Sequence, residues 1–471
     1  MLLMSDDSSG RIAAHLRALA EQRPAGTRLP STRAIAAEFG AGPVTVQRAL
    51  AVLVAEGVVE TRSGQGTFVR ARRNRADRAD VAWQTTALGA DRSGPTPTGS
   101  ILRQVPHDTI AMHSGYPDPS LMPVAEVRAA VTRAARRDDV HLRPAAAGLP
   151  DLRRWFVDEL GADGWHDTDA VIAAGGQAAL SATFRALAAP GQSVVMESPT
   201  YWGAIAAARQ AGLTVVPVGR RAGAPDPDDL DAALAASGAR MLYVQPTHAN
   251  PTGDVWTPAQ REAVLEVAVA HRAFVVEDDW AHDFALEATP PPMAASDRDG
   301  HVVYIRSLTK SMSVAVRVAA VLARGPARAR IDAALSLSDL YVSPLLQVAA
   351  LDIVTRPAWR THLLRLRREL RIRRDRLLDE VATVPELTVG RPPTGGLNLW
   401  VRLPDLIDGS PTDPDAVAAR CLAAGLSLSP GSEWFPAEQT GPFVRLNYAA
   451  SAPDRYGEAV AILAAALSTG R

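Results

Sequence analysis

The strongest constraint on the fold is a regular alternation that runs through most of the 471-residue chain. Short runs of β-forming residues alternate with longer stretches rich in Ala and Leu. The runs are AVIAA, SVVMES, TVVPV, MLYVQ, AFVVED, VVYIRS and VAAVLA. This order predicts an α/β domain with a mostly parallel sheet and helices on both faces. Ligands bind such sheets at the carboxyl ends of the strands, so the loops after these runs are the candidate site.

The first 80 residues follow a different pattern, in which three helical repeats precede two short β runs. Helical spacing predicts a first helix that ends near Pro24, a second helix capped by Ser31 and a third that starts at Pro43. The runs VVETR and TFV, joined by the turn SGQG, predict a hairpin. Three helices and a hairpin form a winged helix-turn-helix. The inward-facing residues are Ile12, Leu16 and Leu19, then Ile35 and Phe39, then Val46, Leu50 and Leu53.

Composition divides the chain at the same place. Residues 1–80 hold 12 Arg against 8 Asp and Glu, and five of these arginines lie at 70–78, whereas the whole chain has a net charge of -1. Any basic surface is therefore local. The stretch TALGADRSGPTPTGS at 86–100 is typical of a linker. The predicted domains are 1–80, a linker at 81–105, and 106–471, with a large subdomain at about 125–350 and a small α+β subdomain at about 360–471.

Cysteine usage and hydropathy limit the cellular compartment. Cys421 is the single cysteine, which excludes an internal disulfide and a cysteine-based zinc site, and no metal site is predicted. The acidic N-terminus is unlike a signal peptide, and no apolar run of about 18 residues follows. We therefore expect a soluble cytoplasmic protein without a membrane partner.

Lysine usage singles out one residue. Lys310 is the only lysine of the chain, and the other 49 basic residues are arginine. An ε-amine can lose its proton and attack a carbonyl carbon, whereas a guanidinium group stays protonated. Lys310 is therefore a candidate for covalent chemistry, and chance retention of one lysine is the alternative.

Four polar motifs follow the predicted strands. GGQAAL at 175–180 opens a helix and suits a phosphate group, although small residues also serve close packing. HANPTG at 248–253 holds Asn250 in a turn, which is also the ordinary use of Asn-Pro. Three carboxylates at 277–279 end the strand AFVV, where helix capping is the alternative to a functional partner. The fourth motif places Ser307 and Arg317 around Lys310. All four lie where the sheet predicts a ligand.

The run from Pro24 to Val69 resembles the DNA-binding domain of GntR-type regulators across its length. Arg and Gln on a recognition helix can bond base edges in the major groove, while glycines let a wing approach the minor groove. A solvated helix face is the alternative for any one of these side chains. The arginines at 70–78 are a further candidate for phosphate contact. The resemblance implies operator contacts from Arg33, Thr45, Gln47, Arg48, Ser63, Gly64, Gln65 and Gly66.

The four motifs in this order resemble the fold-type I pyridoxal phosphate (PLP) enzymes of the aminotransferase family, over roughly residues 105–470. The resemblance implies that Lys310 forms the internal aldimine and that Asp278 pairs with the pyridine nitrogen of the cofactor. It also implies a phosphate site at Gly176, Gln177, Ser307 and Arg317, a ring-hydroxyl partner in Asn250 and a stacking partner in Tyr201. In FVRLNYA, Arg445 resembles the arginine that holds a ligand carboxylate, and a surface ion pair is the alternative.

A GntR-type winged helix joined by a linker to an aminotransferase-like domain resembles the MocR subfamily, also called GabR-like regulators. The segment SGYPDPSLMP at 114–123 is similar to the one that follows the linker in that subfamily. The resemblance implies a head-to-tail homodimer that binds double-stranded operator DNA. It also implies a response through Lys310 to a small amino acid or amine, or to PLP itself, with weak or no transaminase turnover. The alternative is an active aminotransferase with an accessory DNA-binding domain.

The chain departs from the aminotransferase pattern at positions that affect the chemistry. Trp280 stands where a tyrosine is expected to donate to the ring oxygen, and indole cannot ionise there. Val314 and Ala315 replace the usual Pro-Gly pair before the phosphate arginine, and Gly176 replaces a hydroxyl residue. We therefore expect the phosphate either to bind less tightly or to be held by other donors. Arg143 lies about where a tyrosine often reaches the neighbouring subunit's cofactor, and plain surface placement is the alternative.

Overall fold

A computed structural model describes residues 8–70, 82–88, 100–161, 164–166 and 169–468. The chain divides into two compact units, Met1–Gly89 and Ala90–Arg471. The division falls inside the linker that the sequence predicts at 81–105. Two parts of that stretch have regular structure, because 82–88 form a helix and Ser100–Leu102 form a 3-10 turn. Ser100 is buried, so the chain is already part of the second unit's packing at this residue.

Three helices of the first unit pack around a small apolar core, as the sequence predicts. The Ser31 hydroxyl accepts a hydrogen bond from the Ala34 amide at 3.2 Å and starts the second helix, which Gly40 ends in the left-handed conformation. Pro43 opens the third helix. The elements are α1 (Ser8–Glu21), α2 (Thr32–Phe39), α3 (Pro43–Ala55), β1 (Val59–Arg62), β2 (Gly66–Val69) and α4 (Ala82–Leu88). The core includes Ile12, Leu16, Ile35, Val46, Leu50 and Leu53, with Leu19 and Phe39 packed at its edge.

The hairpin of the wing is antiparallel and pairs Val59 with Val69 and Arg62 with Gly66. Gly66 has a φ of +115°, and a Cβ at this position would lie 2.8 Å from Arg28 Nε. The backbone conformation therefore favours glycine there, and a side chain would also displace Arg28. The predicted winged helix-turn-helix is confirmed.

The second unit contains the predicted alternation of strands and helices. Its elements up to the central sheet's last strand are β3 (Ile110–Ala111), α5 (Val124–Ala134), α6 (Pro150–Leu160), β4 (Ala170–Ala173), α7 (Gly176–Leu187), β5 (Ser193–Ser198), α8 (Trp202–Gln210), β6 (Thr214–Arg221), β7 (Ala224–Pro225), α9 (Pro227–Ser237), β8 (Met241–Val244), α10 (Pro258–Ala270), β9 (Phe274–Asp278), α11 (Met293–Ser296), β10 (Val302–Ser307) and β11 (Ala319–Leu322). The remaining elements are α12 (Gly325–Asp339), α13 (Pro344–Val354), α14 (Pro357–Ala382), β12 (Thr388–Val389), β13 (Asn398–Arg402), β14 (Leu406–Ile407), β15 (Ser410–Pro411), α15 (Pro414–Ala423), β16 (Leu426–Ser427), β17 (Ser429–Pro430), β18 (Phe443–Asn447) and α16 (Tyr456–Leu467).

The central sheet has eight strands in the order β4-β11-β10-β9-β8-β5-β6-β7. All seven runs that the sequence predicts as strands belong to it. The strands β10, β9, β8, β5 and β6 are parallel to their neighbours in this series, whereas β11 is antiparallel to both β10 and β4. Buried residues pack against both faces in two clusters, because each face is covered by helices. The mostly parallel α/β fold is confirmed.

A second, smaller sheet lies in the C-terminal part and has the antiparallel order β12-β13-β18-β17. Arg445 on β18 stands opposite Ser429 on β17 and Trp400 on β13. The segment after the linker also joins this part, because β3 pairs with β16. Residues near 110 therefore pack with residues more than 300 positions away.

The Arg-rich stretch at 363–380, which the sequence predicts as a solvated connecting helix, lies in the 26-residue α14. Leu366, Leu370 and Leu377 are buried, while Leu363 is half-buried. Arg373 is also buried and donates to the backbone carbonyl of Ser451 at 2.8 Å. Among the described residues, no helix is long and apolar enough to cross a membrane.

Candidate functional site

One pocket lies at the carboxyl ends of the parallel strands. Residues after β4, β5, β8, β9 and β10 line it, which is the edge where the alternation predicts a ligand. Eight residues that the sequence selects for the cofactor lie together there. They are Gly176, Gln177, Tyr201, Asn250, Asp278, Ser307, Lys310 and Arg317.

Lys310 lies in this pocket between two aromatic rings. Its Nζ atom is 4.2 Å from the centre of the Trp280 ring and 5.9 Å from that of Tyr201. Burial lowers the pKa of Lys310 to about 8, against the opposing attraction of Asp278. A larger fraction of this amine is therefore neutral, and nucleophilic, at neutral pH than for an ordinary lysine.

The Asp278 carboxylate is held by two residues of the neighbouring strand β8 and the loop after it. The Tyr243 hydroxyl and the Gln245 side-chain amide both donate to its Oδ2 atom, at 2.7 and 2.8 Å. Burial raises the pKa of Asp278, and these two hydrogen bonds oppose the rise. With Oδ2 fixed in this way, the carboxylate can pair with a cationic partner in the pocket.

The two other carboxylates of the 277–279 motif have structural partners. Glu277 accepts from the backbone amides of Met293 and Ala294 at 2.9 and 3.0 Å, so the capping alternative holds for this residue. Asp279 accepts from the Tyr304 hydroxyl at 2.6 Å and lies 2.8 Å from His282 Nδ1. Of the three, only Asp278 lines the pocket.

Asn250 is connected to Asp278 through one glutamine. The Asn250 backbone amide donates to Gln245 Oε1 at 2.9 Å, while the Gln245 amide group donates to Asp278. The Asn250 side-chain oxygen lies 3.4 Å from both Asn398 Nδ2 and Arg445 Nη1. One hydrogen-bond network thus joins Asp278 to Arg445.

The other end of the pocket is built to hold an anion. The first amides of α7, at Gly176 and Gln177, have no acceptor within the helix and carry its positive dipole end. Arg317 Nη2 donates to the backbone carbonyl of Ala174 at 3.1 Å, which places its guanidinium beside these amides. Gly175 has a φ of +94°, which favours glycine, and a Cβ there would lie 2.8 Å from Arg317 Nη2 and displace this guanidinium.

Hydroxyl groups complete the anion-binding end. Ser307 Oγ lies 3.1 Å from Thr309 Oγ1, and both residues line the pocket. They supply hydroxyl donors in place of the hydroxyl residue that Gly176 replaces. The Gln177 side chain is directed elsewhere, because it donates to the Gly203 carbonyl at 2.8 Å and accepts from the Tyr201 hydroxyl at 3.1 Å. Only the backbone of Gln177 is therefore available to a phosphate.

Three polar lining residues have no role in the sequence reasoning. Tyr116 belongs to the segment SGYPDP, Gln245 ends the run MLYVQ, and Thr309 precedes Lys310. Each lies inside or beside a motif that the sequence singles out. Closeness to these motifs was therefore the one feature of the sequence that could have indicated a role in the pocket. The side-chain contacts of Gln245 with two different loops could not be read from spacing.

Arg445 is fully buried and does not form a surface ion pair. Its Nη2 atom donates to the backbone carbonyl of His113 at 2.6 Å, and its guanidinium lies 4.5 Å from the centre of the Trp434 ring. Within the described residues its Nε atom has no hydrogen-bond acceptor. Burial lowers its pKa to about 10. A buried guanidinium in this state is suited to an incoming carboxylate.

The indole nitrogen of Trp280 is already hydrogen-bonded within the protein. Its Nε1 atom donates to the His248 backbone carbonyl at 3.0 Å, so it cannot replace the tyrosine that would donate to a ring oxygen. Its ring instead covers Lys310. Val314 and Arg143 are both exposed, and Arg143 does not line the pocket of its own chain.

The candidate DNA-binding residues of the first unit lie mostly on its surface. Arg33, Gln47 and Arg48 are exposed, whereas Thr45 is half-buried. At the wing tip Ser63, Gly64 and Gln65 are exposed, and Gly66 is half-buried. In the basic run at 70–78, Arg70 is exposed and the residues from 71 onward lie outside the described part of the chain.

Comparison with known proteins defines the class. Residues 110–463 match the family described as aminotransferase class I and II, and residues 9–69 match the bacterial regulatory proteins of the gntR family. The first match covers most of the chain, which therefore belongs to the aminotransferase class I and II family. With its GntR DNA-binding domain, the chain has the two-domain architecture of the MocR-like HTH-type regulators.

Relatives include regulators and enzymes. The chain is 30% identical to the probable rhizopine catabolism regulatory protein MocR of Rhizobium meliloti, over 74% of this chain and 72% of that protein. It is 27% identical to the HTH-type transcriptional regulator TauR of Rhodobacter capsulatus, over 94% and 92% of the two chains. The crystal structure of LysN, an alpha-aminoadipate aminotransferase of Thermus thermophilus, has a TM-score of 0.73 and 25% identity, and the match covers 81% of this chain and 97% of LysN.

The cofactor of this family is PLP, and the pocket fits it. The pocket offers an anion-binding end in which a Cβ at Gly175 would displace the Arg317 guanidinium, an amine of lowered pKa in Lys310, and a buried carboxylate in Asp278. These groups match the phosphate, the aldehyde and the pyridine nitrogen of PLP, respectively. Gly176, Gln177, Ser307, Thr309 and Arg317 would hold the phosphate.

Proposed function

We propose that this protein is a PLP-dependent transcriptional regulator that senses a small amino acid or amine. One observation carries the proposal: a pocket with a lysine, a buried carboxylate and an anion-binding end that fit PLP occurs in the same chain as a GntR winged helix whose recognition residues Arg48 and Gln47 are exposed. A metabolic enzyme does not need the second feature, and a simple repressor does not need the first.

The residues of the pocket have different roles in sensing. PLP, when bound, supplies an electrophilic carbon that takes up an amine and a ring that accepts electrons. The Lys310 amine would be the covalent attachment point of the cofactor. Asp278 would pair with the pyridine nitrogen and keep it protonated, and Arg445 would bind the ligand carboxylate. Tyr201 would pack against the cofactor ring, and Asn250 would donate to the ring hydroxyl.

The two units act through a dimer in this proposal. The GntR domain binds DNA, and the aminotransferase fold is typically dimeric, which together suit a two-fold symmetric operator. We propose a head-to-tail homodimer in the cytoplasm, in which ligand binding changes the spacing of the two winged helices. Coupling between a ligand site and a DNA site is typically about 1 to 3 kcal/mol.

Fluorescence anisotropy on the protein's own upstream intergenic DNA tests this function. We expect saturable binding in excess nonspecific competitor that shifts when PLP and an amino acid are added. Lys310→Ala should lose the shift but keep basal DNA binding, because the winged helix is a separate compact unit. A shift with PLP alone and none with any amino acid would make PLP the signal. No specific binding in any state would contradict the proposal.

A second candidate function is amino-group transfer. The observation in its favour is that Lys310, Asp278 and Arg445 are all in place, as an aminotransferase requires, and LysN acts on alpha-aminoadipate. Steady-state transamination with alpha-aminoadipate and 2-oxoglutarate decides between the two. Sustained turnover near 1 per second or faster would favour the enzyme.

A further inference from the structure

Ser100, the first described residue beyond position 88, is hydrogen-bonded close to Arg445. The Ser100 backbone amide donates to Glu433 Oε1 at 2.9 Å, and its hydroxyl lies 2.8 Å from Glu433 Oε2. The same hydroxyl lies 2.7 Å from Ser429 Oγ. Ser100 and Ser429 are buried and Glu433 is half-buried, so water competes little for these bonds. Ser429 stands opposite Arg445 on the neighbouring strand.

The same segment makes a second attachment to Arg445. One guanidinium nitrogen, Nη2, donates to the His113 carbonyl at 2.6 Å and lies 3.3 Å from the Ser114 carbonyl and 3.4 Å from Ser429 Oγ. His113 Nε2 in turn lies 2.9 Å from the Arg103 carbonyl. The carbonyls of His113 and Ser114 therefore accept from the guanidinium. Ser100, at the start of the same segment, shares Ser429 with it.

Electrostatics connects the two attachments. Glu433 is the acidic group that most opposes the loss of charge on Arg445, and Arg445 in turn lowers the pKa of Glu433, which burial raises. The Glu433 oxygens are used by Ser100 rather than by Arg445. A carboxylate arriving at Arg445 would neutralise the charge that stabilises Glu433. It would also compete with His113 and Ser114 for Nη2.

We propose that Ser100 and Glu433 form a latch that couples the ligand-carboxylate arginine to the end of the linker. In the absence of a ligand, Arg445 and Glu433 hold residues 100–114 in place. When a ligand carboxylate engages Arg445, the hydrogen bonds and the charge that hold Ser100 weaken, and the linker end is released. Ser100 and Glu433 are positioning residues in this scheme, which rests on the proposed role of Arg445 as ligand anchor.

Hydrogen exchange of the full-length holoprotein tests the latch without any ligand. Arg445→Gln removes the charge as a ligand would neutralise it, and we expect exchange in residues 100–104 to rise at least fivefold. Arg445→Lys keeps the charge and should stay closer to the wild type. PLP absorbance confirms that each variant retains a folded pocket. Equal exchange at 100–104 in Arg445→Gln and the wild type would overturn the latch.

A double-mutant cycle separates coupling from two unrelated structural effects. If Glu433 and Arg445 hold Ser100 by one coupled interaction, losing either residue already removes part of the other's contribution. The double variant Glu433→Gln/Arg445→Gln should then raise exchange by a smaller factor than the product of the two single-variant factors. Strictly multiplicative effects would contradict the proposal. Glu458→Gln is the control, because this exposed carboxylate pairs with Arg455, which bonds Asp108 of the same segment. It should leave exchange at 100–104 unchanged.

The operator assay distinguishes failure of the latch from failure of the proposed function. Where the wild type shows an amino-acid-dependent shift in DNA affinity, Glu433→Gln should lose most of it while keeping its PLP absorbance. A full shift in Glu433→Gln would overturn the latch alone. A wild type that never responds to amino acids would contradict the proposed function, while the exchange cycle would still decide whether Arg445 controls the segment.

Discussion

The two units of this protein place their functional side chains in opposite environments. In the winged helix, Arg48 and Gln47 are exposed, and the apolar core only holds the helix that carries them. In the aminotransferase unit, Asp278, Lys310 and Arg445 are enclosed, and burial shifts the pKa of each. Exposed residues keep the chemistry of free side chains, whereas enclosed residues take their chemistry from their neighbours. The two units should therefore respond differently to mutation.

The largest expected effect comes from the enclosed site. Asp278→Asn would leave a protonated pyridine nitrogen without its counter-charge, and removing one member of a buried ion pair costs about 3 to 5 kcal/mol. We expect the affinity for PLP to fall by at least a hundredfold. Equilibrium dialysis of the apoprotein against PLP measures this loss.

A matched control for Asp278→Asn is Asp279→Asn. Asp279 is the adjacent carboxylate and is equally buried, but it bonds Tyr304 and His282 rather than facing the pocket. We expect it to lower stability and to change PLP affinity much less. Equal losses of PLP affinity in the two variants would show that the distinction between the carboxylates is wrong.

The next effect tests the core beneath the exposed recognition helix. Leu53 is fully buried in the winged helix, and Leu→Ala at such a site typically costs about 2 to 5 kcal/mol. Leu53→Ala should therefore lower amide protection in α3 by at least tenfold in hydrogen exchange, while the PLP absorbance of the other unit stays unchanged. A parallel loss of PLP binding would show that the two units do not fold independently.

The contrast between the units also explains what the sequence could predict. The period of apolar residues specified α1 to α3 and all seven long strands, because a core needs only hydrophobic residues at the right spacing. Ser31 and Pro43 marked helix starts because capping is a local effect. The rule that strand ends meet at one edge of a parallel sheet predicted that the four motifs share a site, and the family resemblance selected the eight residues, which line one pocket.

Contacts between distant segments could not be predicted in this way. Nothing in the sequence indicates that Gln245 joins Asn250 to Asp278, or that Ser100 lies against Glu433, more than 300 residues later. Nor does the sequence indicate that the Trp280 indole nitrogen donates to the His248 carbonyl. These features depend on side-chain direction, which tertiary packing decides.

The exposed surface gives a smaller expected effect. If Arg48 contacts a base edge, Arg48→Ala should weaken operator binding by about 1 to 3 kcal/mol without changing stability. Arg17→Ala is the matched control, because Arg17 is an arginine of the same unit that pairs with Glu56 at 2.8 Å. Anisotropy at fixed salt measures both variants. Equal losses of operator affinity would point to a general effect of charge rather than to recognition by α3.

The buried lysine predicts a specific pH dependence. Only the neutral amine attacks an aldehyde, and the pKa of Lys310 is lowered to about 8. The rate of PLP uptake by the apoprotein should therefore rise about tenfold per pH unit below pH 8 and level off above it, since the neutral fraction is then near its maximum. Stopped-flow absorbance, with N-acetyl-lysine as the exposed reference amine, measures this profile. A rate that continues to rise toward pH 10, as for the reference, would contradict the lowered pKa.

The smallest effect concerns the N-cap of α2, where an exposed side chain has a structural role. Ser31 is exposed, yet its hydroxyl accepts the Ala34 amide at 3.2 Å, so Ser31→Ala should cost about 1 kcal/mol of local stability. Ser31→Asp restores an acceptor and should recover most of this loss, whereas Ser31→Ala should fray the first turn that carries Arg33. Hydrogen exchange at residues 32–36 measures both variants. If Ser31→Ala has no effect there, tertiary packing of Ile35 is enough to hold the helix, and the surface of this unit contributes to recognition but not to its fold.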